Sequence, residues 1–433
     1  MMEFLSDHAG LIAILLMFTL MLLSVPVFVA TGVGALIGFL LIRDPDQAVH
    51  DMGDIVWAGA AIYELVALPL FIFTGLLMQR IGAGEDLFNV TRAWVGASRN
   101  SLGVATILAC GIFAAICGSS IATAATVGIV AIPLLLGDRY TEAQAGGFVA
   151  GGGTLGIIVP PSIPMILYGV LTETSIGRLF LAGIVPGLIM MTLFIIYVLF
   201  SRPIIRRSHD MSFAKKLAIT WHGLPVLLLP VIIIGSIYAG LFTPTEVAAL
   251  AILYVVIVGA LQRRLTVRIF FEAGAEATKT GSMLFMLIVF GEYLSHFLTY
   301  VELPKSVAAF ITMWSWGPLM TVTLMMLGYL VLGSFLETAA MLLVSVPLFF
   351  PIAHTIGMDP VVFGVFVCIA MEISQIHPPI GVNLFTIHGI SKIPLLQLAK
   401  GTLPFLLIET AMLYVIYFVP ELSLWLPRQA MGH

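Results

Sequence analysis

The sequence predicts an all-α, polytopic membrane protein made of two inverted repeats, each holding a re-entrant helical hairpin and a broken helix. Three observations carry that expectation. Of 433 residues, 60% are hydrophobic and only 10% charged, and the mean hydropathy of +1.10 lies far outside the soluble globular range. Two apolar segments are split by Pro160-Pro161 and Pro378-Pro379; each pair removes backbone donors and pushes the preceding residue out of helical geometry. The chain also echoes itself, with Gly118-Ser-Ser-Ile-Ala-Thr-Ala-Ala125 falling on Gly333-Ser-Phe-Leu-Glu-Thr-Ala-Ala340, and Pro160, Gly183 and Pro186 on Pro378, Gly401 and Pro404.

Composition narrows the function classes. No HExxH, GxSxG or P-loop pattern occurs, so neither a hydrolase nor a nucleotide-driven pump is expected, and uphill transport would need an ion gradient or a partner. Cys110, Cys117 and Cys368 lie inside apolar runs without metal or redox spacing and read as small packing residues. The net charge of −4 and the lack of a basic aromatic patch give no sign of nucleic acid. The start of the chain lacks a basic n-region, so the first apolar run is expected to remain as a span.

Taken in order, runs of about 20 apolar residues place spans near 8–24, 26–42, 65–81, 141–172 (broken) and 176–200, then near 223–241, 244–261, 281–298, 360–390 (broken) and 401–420. Residues 102–137 and 318–353 carry Gly-Ser breaks at mid-length and are expected to enter and return on one side. With the N-terminus outside, 15 of the 19 Lys and Arg fall in inner segments, as the positive-inside rule asks. Both termini are then periplasmic. Five net crossings separate equivalent points, so the halves are inverted: 1–207 forms one, 223–433 the other, and 208–222 a cytoplasmic linker. Segments 85–100 and 303–316 have amphipathic patterns and are expected as arms in the membrane plane, each preceding a hairpin.

Polar groups at depth cluster at four related points. Ser119, Ser120 and Thr123 lie at the first tip, Gly153, Thr154 and Ser162 at the first break, Ser334 and Thr338 at the second tip, and Ser374, Gln375, Gly381 and Asn383 at the second break. Unwound backbone and hydroxyl oxygens suit Na+, and opposed half-helix N-termini suit a carboxylate. The pattern predicts one Na+ per half with an anion between the tips, held by Ser120, Thr123, Gly153, Thr154, Ser162, Glu337, Thr338 and Asn383. Any single hydroxyl among them could equally bond its own helix; the clustering argues for the set. Glu337 and Glu372 weigh most among the acids, because carboxylates inside apolar segments tend to be functional. Glu292, His296 and His377 are weaker candidates.

The run from Gly151 to Leu188, with Pro-Pro-Ser-Ile-Pro and Glu173-Thr-Ser-Ile-Gly-Arg-Leu-Phe-Leu-Ala-Gly-Ile-Val-Pro186, resembles the large membrane subunit of TRAP transporters, the tripartite ATP-independent periplasmic systems. So do the Gly118-Ser-Ser120 tip and Gln375-Ile-His-Pro-Pro-Ile-Gly-Val-Asn383. The resemblance implies an elevator-type fold in the bacterial inner membrane and Na+ as coupling ion. It also implies a small four-span membrane subunit on a separate chain, and a periplasmic substrate-binding protein that delivers a small organic anion, of the C4-dicarboxylate or sialic-acid type. Carried over by motif, one sodium site would use Ser119, Ser120, Gly156, Val159, Pro160 and Pro161, and the other Gly333, Ser334, Thr338, Gln375, Pro378 and Gly381. The competing readings are a self-sufficient Na+/anion symporter and a non-transporting membrane scaffold, for which broken helices would be needless.

Overall fold

The structure, a computed structural model, describes residues 8–431 apart from 97–98, 202–210, 304, 307–308, 310–316 and 379–380. The described residues are helical with no strand. The first part of the chain forms α1 (Ala9–Leu22), α2 (Val27–Ile42), α3 (Pro45–Ala60), α4 (Ala67–Arg80), α5 (Ala83–Val95), α6 (Ser101–Cys117), α7 (Ser120–Gly137), α8 (Glu142–Thr154), α9 (Ile163–Leu171) and α10 (Ile176–Phe200). The remainder forms α11 (Phe213–Tyr238), α12 (Pro244–Leu261), α13 (Val267–Tyr300), α14 (Pro318–Gly333), α15 (Thr338–Thr355), α16 (Pro360–Ile376), α17 (Val382–Ser391), α18 (Leu395–Phe418) and α19 (Glu421–Met431). Seven of the helices are long and apolar enough to cross a membrane.

Local chemistry explains the boundaries. Thr141 and Gln144 close a capping box on α8, as Thr243 and Glu246 do on α12 behind Pro244 at its first position; each pairing satisfies two orphan backbone donors. Asp359 caps α16 by accepting from the amides of Val361 and Val362. The expected breaks fall at Gly118-Ser119, 155–162 and Ser334–Glu337, and at the fourth α16 ends at Ile376 and α17 begins at Val382. Pro160 and Pro161, joined by a cis peptide bond, are buried in protein, the condition under which irregular backbone is tolerated at membrane depth. Pro379 lies outside the described residues.

Two packed groups result. In one, α2, α4, α12 and α13 hold together with α1 along their lengths, and Phe39 of α2 meets Tyr293 and Phe297 of α13 at ring distances of 5.2 and 5.1 Å. In the other, α6 to α10 pack against α15 to α18, with Phe405 of α18 edge-on to Phe194 of α10 at 4.9 Å.

The structure departs from expectation in places. Residues 43–64, expected as a connection between spans, contain α3, an amphipathic helix bent by 61° from the next helical stretch and pinned by the Arg43–Asp51 ion pair; its acids hide a modest apolar face from a charge count. The linker expected at 208–222 ends sooner, since α11 begins at Phe213. In the segment expected as the first arm, 85–100, α5 starts earlier, at Ala83, and ends at Val95. Most of the second, 303–316, falls outside the described residues.

Candidate functional site

The first hairpin turns at Gly118, whose φ of +63° suits a residue without Cβ. Ser119 then caps α7 by accepting from the Ala122 amide at 3.4 Å. This tip lies on the first break: the Ile163 amide donates to the Gly118 carbonyl at 3.3 Å, and a Cβ on Gly156 would sit 2.6 Å from the Ser119 carbonyl oxygen. A glycine is thus required where tip and break touch. The break's own hydroxyls are engaged: Thr154 donates to Gly151 O at 2.6 Å and Ser162 to Ile157 O at 2.6 Å.

The second half places the same elements together with different bonds. Gln375, near the end of α16, donates from Nε2 to the Thr338 hydroxyl at 2.7 Å, tying second tip to second break. A Cβ on Gly333 would fall 2.2 Å from the Ser374 hydroxyl. Gln375 Oε1 and both amide atoms of Asn383 are buried with no hydrogen-bond partner, which costs free energy unless something else pairs with them.

Between the tips lies a cavity of about 220 Å³, lined by Gly118, Ser119 and Ser120 on one side, Glu337, Thr338 and Ala339 on the other, Ile163 and Pro164 behind, and Gln79, Glu276 and Thr280 from α4 and α13. Three helix N-termini therefore converge on it: α7 at Ser120, α9 at Ile163 and α15 at Thr338. Each presents unpaired amides and the positive end of a helix dipole, an arrangement that favours an anion. Glu337 is the N-cap of α15, makes no side-chain cap bond and is exposed into this cavity. Beside Glu276, Arg80 donates to Glu272 at 2.9 Å and Glu276 at 2.6 Å. A larger chamber of about 780 Å³ is lined by Glu64, Glu173, Glu292 and His296 and touches neither tip. It takes in no residue of the first break either, so the smaller cavity is the better candidate.

Of the predicted substrate residues, the cavity takes in Ser120, Glu337 and Thr338. Thr123 is fully buried and donates to Ser119 O at 2.8 Å, while Gly153 packs on Ala124. These two, with Thr154, Ser162 and Asn383, are buried outside the cavity lining. Of the predicted sodium ligands, Ser119, Ser120, Gly156 and Pro161 meet at the first tip–break contact, with Val159 and Pro160 on the same stretch of chain; Gly333, Thr338, Gln375 and Gly381 gather at the second, while the Ser334 hydroxyl donates to Leu330 O at 3.0 Å and Pro378 follows on the same break. Sequence reasoning passed over Gln79 and Glu276 in the cavity wall, and the buried Glu409. Its position inside an apolar run was the available signal.

Residues 14–422 match the family described as "Tripartite ATP-independent periplasmic transporter, DctM component". The chain is 36% identical to the C4-dicarboxylate TRAP transporter large permease protein DctM of Pseudomonas aeruginosa, over 90% of this chain and 92% of that one. It is 30% identical to the isethionate TRAP transporter permease protein DctMQ of Oleidesulfovibrio alaskensis, covering 98% of this chain and 67% of that longer one. In fold it is similar to the YdaH transporter of Alcanivorax borkumensis, with a TM-score of 0.61 at 15% identity over 96% of this chain and 98% of that one.

Proposed function

The chain belongs to the DctM family of tripartite ATP-independent periplasmic transporters, and on that premise we propose that it is the large permease subunit of a Na+-coupled importer for a small organic anion. The observation that carries this reading is the convergence of three helix N-termini on one cavity between the two hairpin tips. An anion seated there meets the amides of α7, α9 and α15 and the hydroxyls of Ser119, Ser120 and Thr338. Glu337 disfavours dense negative charge on one side of the cavity, so the carboxylate is expected to point away from it. A C4-dicarboxylate or a sialic acid is the substrate type we propose.

Na+ fits the residues at both tip–break contacts. At the first, Pro160 and Pro161 cannot donate, so carbonyl oxygens of the unwound stretch have no helical partner and stand beside Ser119 and Ser120. At the second, the buried, unpartnered Gln375 Oε1 and the Thr338 hydroxyl supply oxygen. Bound there, the ion would supply positive charge that strengthens anion binding between the tips. Gly156 and Gly333 let each tip close onto its break, and the capping hydroxyls hold the N-termini in register. Movement of the group holding both tips against the frame of α2, α4, α12 and α13, in the manner of an elevator, would carry the site across the bilayer.

The small four-span subunit and a periplasmic binding protein are the expected partners, in a bacterial inner membrane with both termini periplasmic. The test is uptake into proteoliposomes holding both membrane subunits, with the binding protein added. Uptake of a labelled carboxylate that follows an inward Na+ gradient and not an equal K+ gradient supports the reading, and uptake indifferent to Na+ removes it. Full uptake by this chain alone would favour the self-sufficient symporter.

A further inference from the structure

Glu372 on α16 and Glu409 on α18 are both fully buried, and none of their four carboxylate oxygens has a hydrogen-bond partner. Two such groups in a dry protein interior are costly, and a pair kept in that state points to an occupant that meets the oxygens. The reading above uses neither of them.

Helix register brings the pair to one place. α8 and α18 approach until a Cβ on Gly147 would lie 2.3 Å from the Gly401 carbonyl oxygen, and one turn on, Gly151 abuts the Phe405 ring. The next turn sets Thr154 opposite Glu409. On the other flank, the Thr402 hydroxyl reaches the Ile376 carbonyl at 3.3 Å, which places Glu372, one turn earlier on α16, beside the same stretch of α18. The Thr154 hydroxyl stands next to Glu409 and the Ser120 hydroxyl next to Glu372, neither closing a bond of ordinary geometry, and the Glu409 carboxylate acts electrostatically on Glu372. The other titratable group acting there is the Cys368 thiol, one turn from Glu372 on α16; among the described residues no Lys, Arg or His does so.

We propose that Glu372, Glu409, Ser120 and Thr154 form a carboxylate-built Na+ site, additional to the two tip–break sites, adjoining the first of them at Ser120 and drawing ligands from both halves of the chain. Four carboxylate oxygens and two hydroxyls offer six hard donors, a set suited to a small dehydrated alkali cation. Mg2+ keeps several waters, which a contact buried on all sides does not supply, and Ca2+ is told apart from Na+ by the melting series below. One Na+ here offsets half the charge of the ionised pair. It also bridges α16 and α18 to the first tip through Ser120 and to the first break through Thr154, so its occupancy would tighten the tip against the break. The inference rests on the Na+-coupled reading for the identity of the ion.

The experiment is equilibrium binding of radioactive 22Na+ to the purified full-length chain with its small subunit, alongside thermal melting in NaCl, KCl, choline chloride and CaCl2 at constant ionic strength. For wild type we expect saturable 22Na+ binding and a Na+-dependent rise in Tm. Glu409→Gln and Glu372→Gln should each bind one ion fewer per chain, and Thr154→Val should keep the ion count but raise the Na+ concentration at half-saturation by about tenfold. Unchanged stoichiometry and half-saturation in both Gln variants overturns the site while leaving the tip–break sites standing. Absence of 22Na+ binding in wild type instead overturns the Na+-coupled reading, and this inference with it. A wild-type Tm that rises with CaCl2 and not NaCl overturns the assignment of the ion. Should the Gln variants not fold, Glu409→Asp, which keeps the charge on a shorter arm, replaces them: altered half-saturation supports the site, and unchanged binding overturns it.

Discussion

The two tip–break contacts descend from echoed sequence yet are built from different chemistry. At the first, backbone meets backbone: Gly156 lies under the Ser119 carbonyl, Gly118 O receives the Ile163 amide, and Thr154 and Ser162 bond to carbonyls of their own segment. At the second, side chains make the join, through Gln375 to Thr338 and Ser374 against Gly333, with polar atoms left unpartnered. A backbone cradle holds its shape whatever side chains surround it; a cradle of amide and hydroxyl groups depends on each group being present. The first contact should therefore keep its shape when the capping hydroxyl of Ser162 is lost and be intolerant of added bulk. The second should respond to loss of a polar group.

Four measurements sharpen or break that contrast. The largest effect is expected from Gly156→Ala, which forces a methyl against the Ser119 carbonyl and separates tip from break; overpacking of this kind costs about 1–3 kcal/mol. Na+-driven uptake should be abolished while the folded protein remains detectable by size-exclusion chromatography. Next is Gln375→Leu, which leaves the Thr338 hydroxyl without its donor at a cost of about 1–3 kcal/mol; the Na+ concentration for half-maximal uptake should rise with kcat largely kept. Glu337→Gln removes a negative charge from the anion cavity and should lower the KM for a dicarboxylate, measured in proteoliposomes at fixed Na+. The smallest of the four is Ser162→Ala at the first break, which loses an N-cap worth about 1 kcal/mol and should lower Tm slightly without moving the Na+ requirement. A Ser162→Ala variant more Na+-demanding than Gln375→Leu would reverse the comparison.

Much of this was legible in the chain because its signals are local. Paired prolines break helices wherever they stand, and twenty apolar residues span a bilayer whatever their neighbours. The Gly-Ser turns, the broken spans and α10 at 176–200 accordingly fall where the pattern puts them. α3 stood outside the expected spans because 43–64 holds five acids and one base, and its apolar face is visible only once helical phase is known. Thr123 and Thr154 have the right residue type and the right depth, yet only packing decides that their hydroxyls turn back onto their own helices.

The sequence by itself determined the membrane class, the breaks and the residues that gather at them, since each follows from backbone donors, hydropathy and spacing. The tertiary structure decided which of those residues share a cavity, that three helix N-termini point into it, and that Glu372 and Glu409, 37 positions apart, lie side by side. Those outcomes depend on interhelical distances set by glycine contacts such as Gly147 on Gly401, and no local pattern encodes a distance between helices.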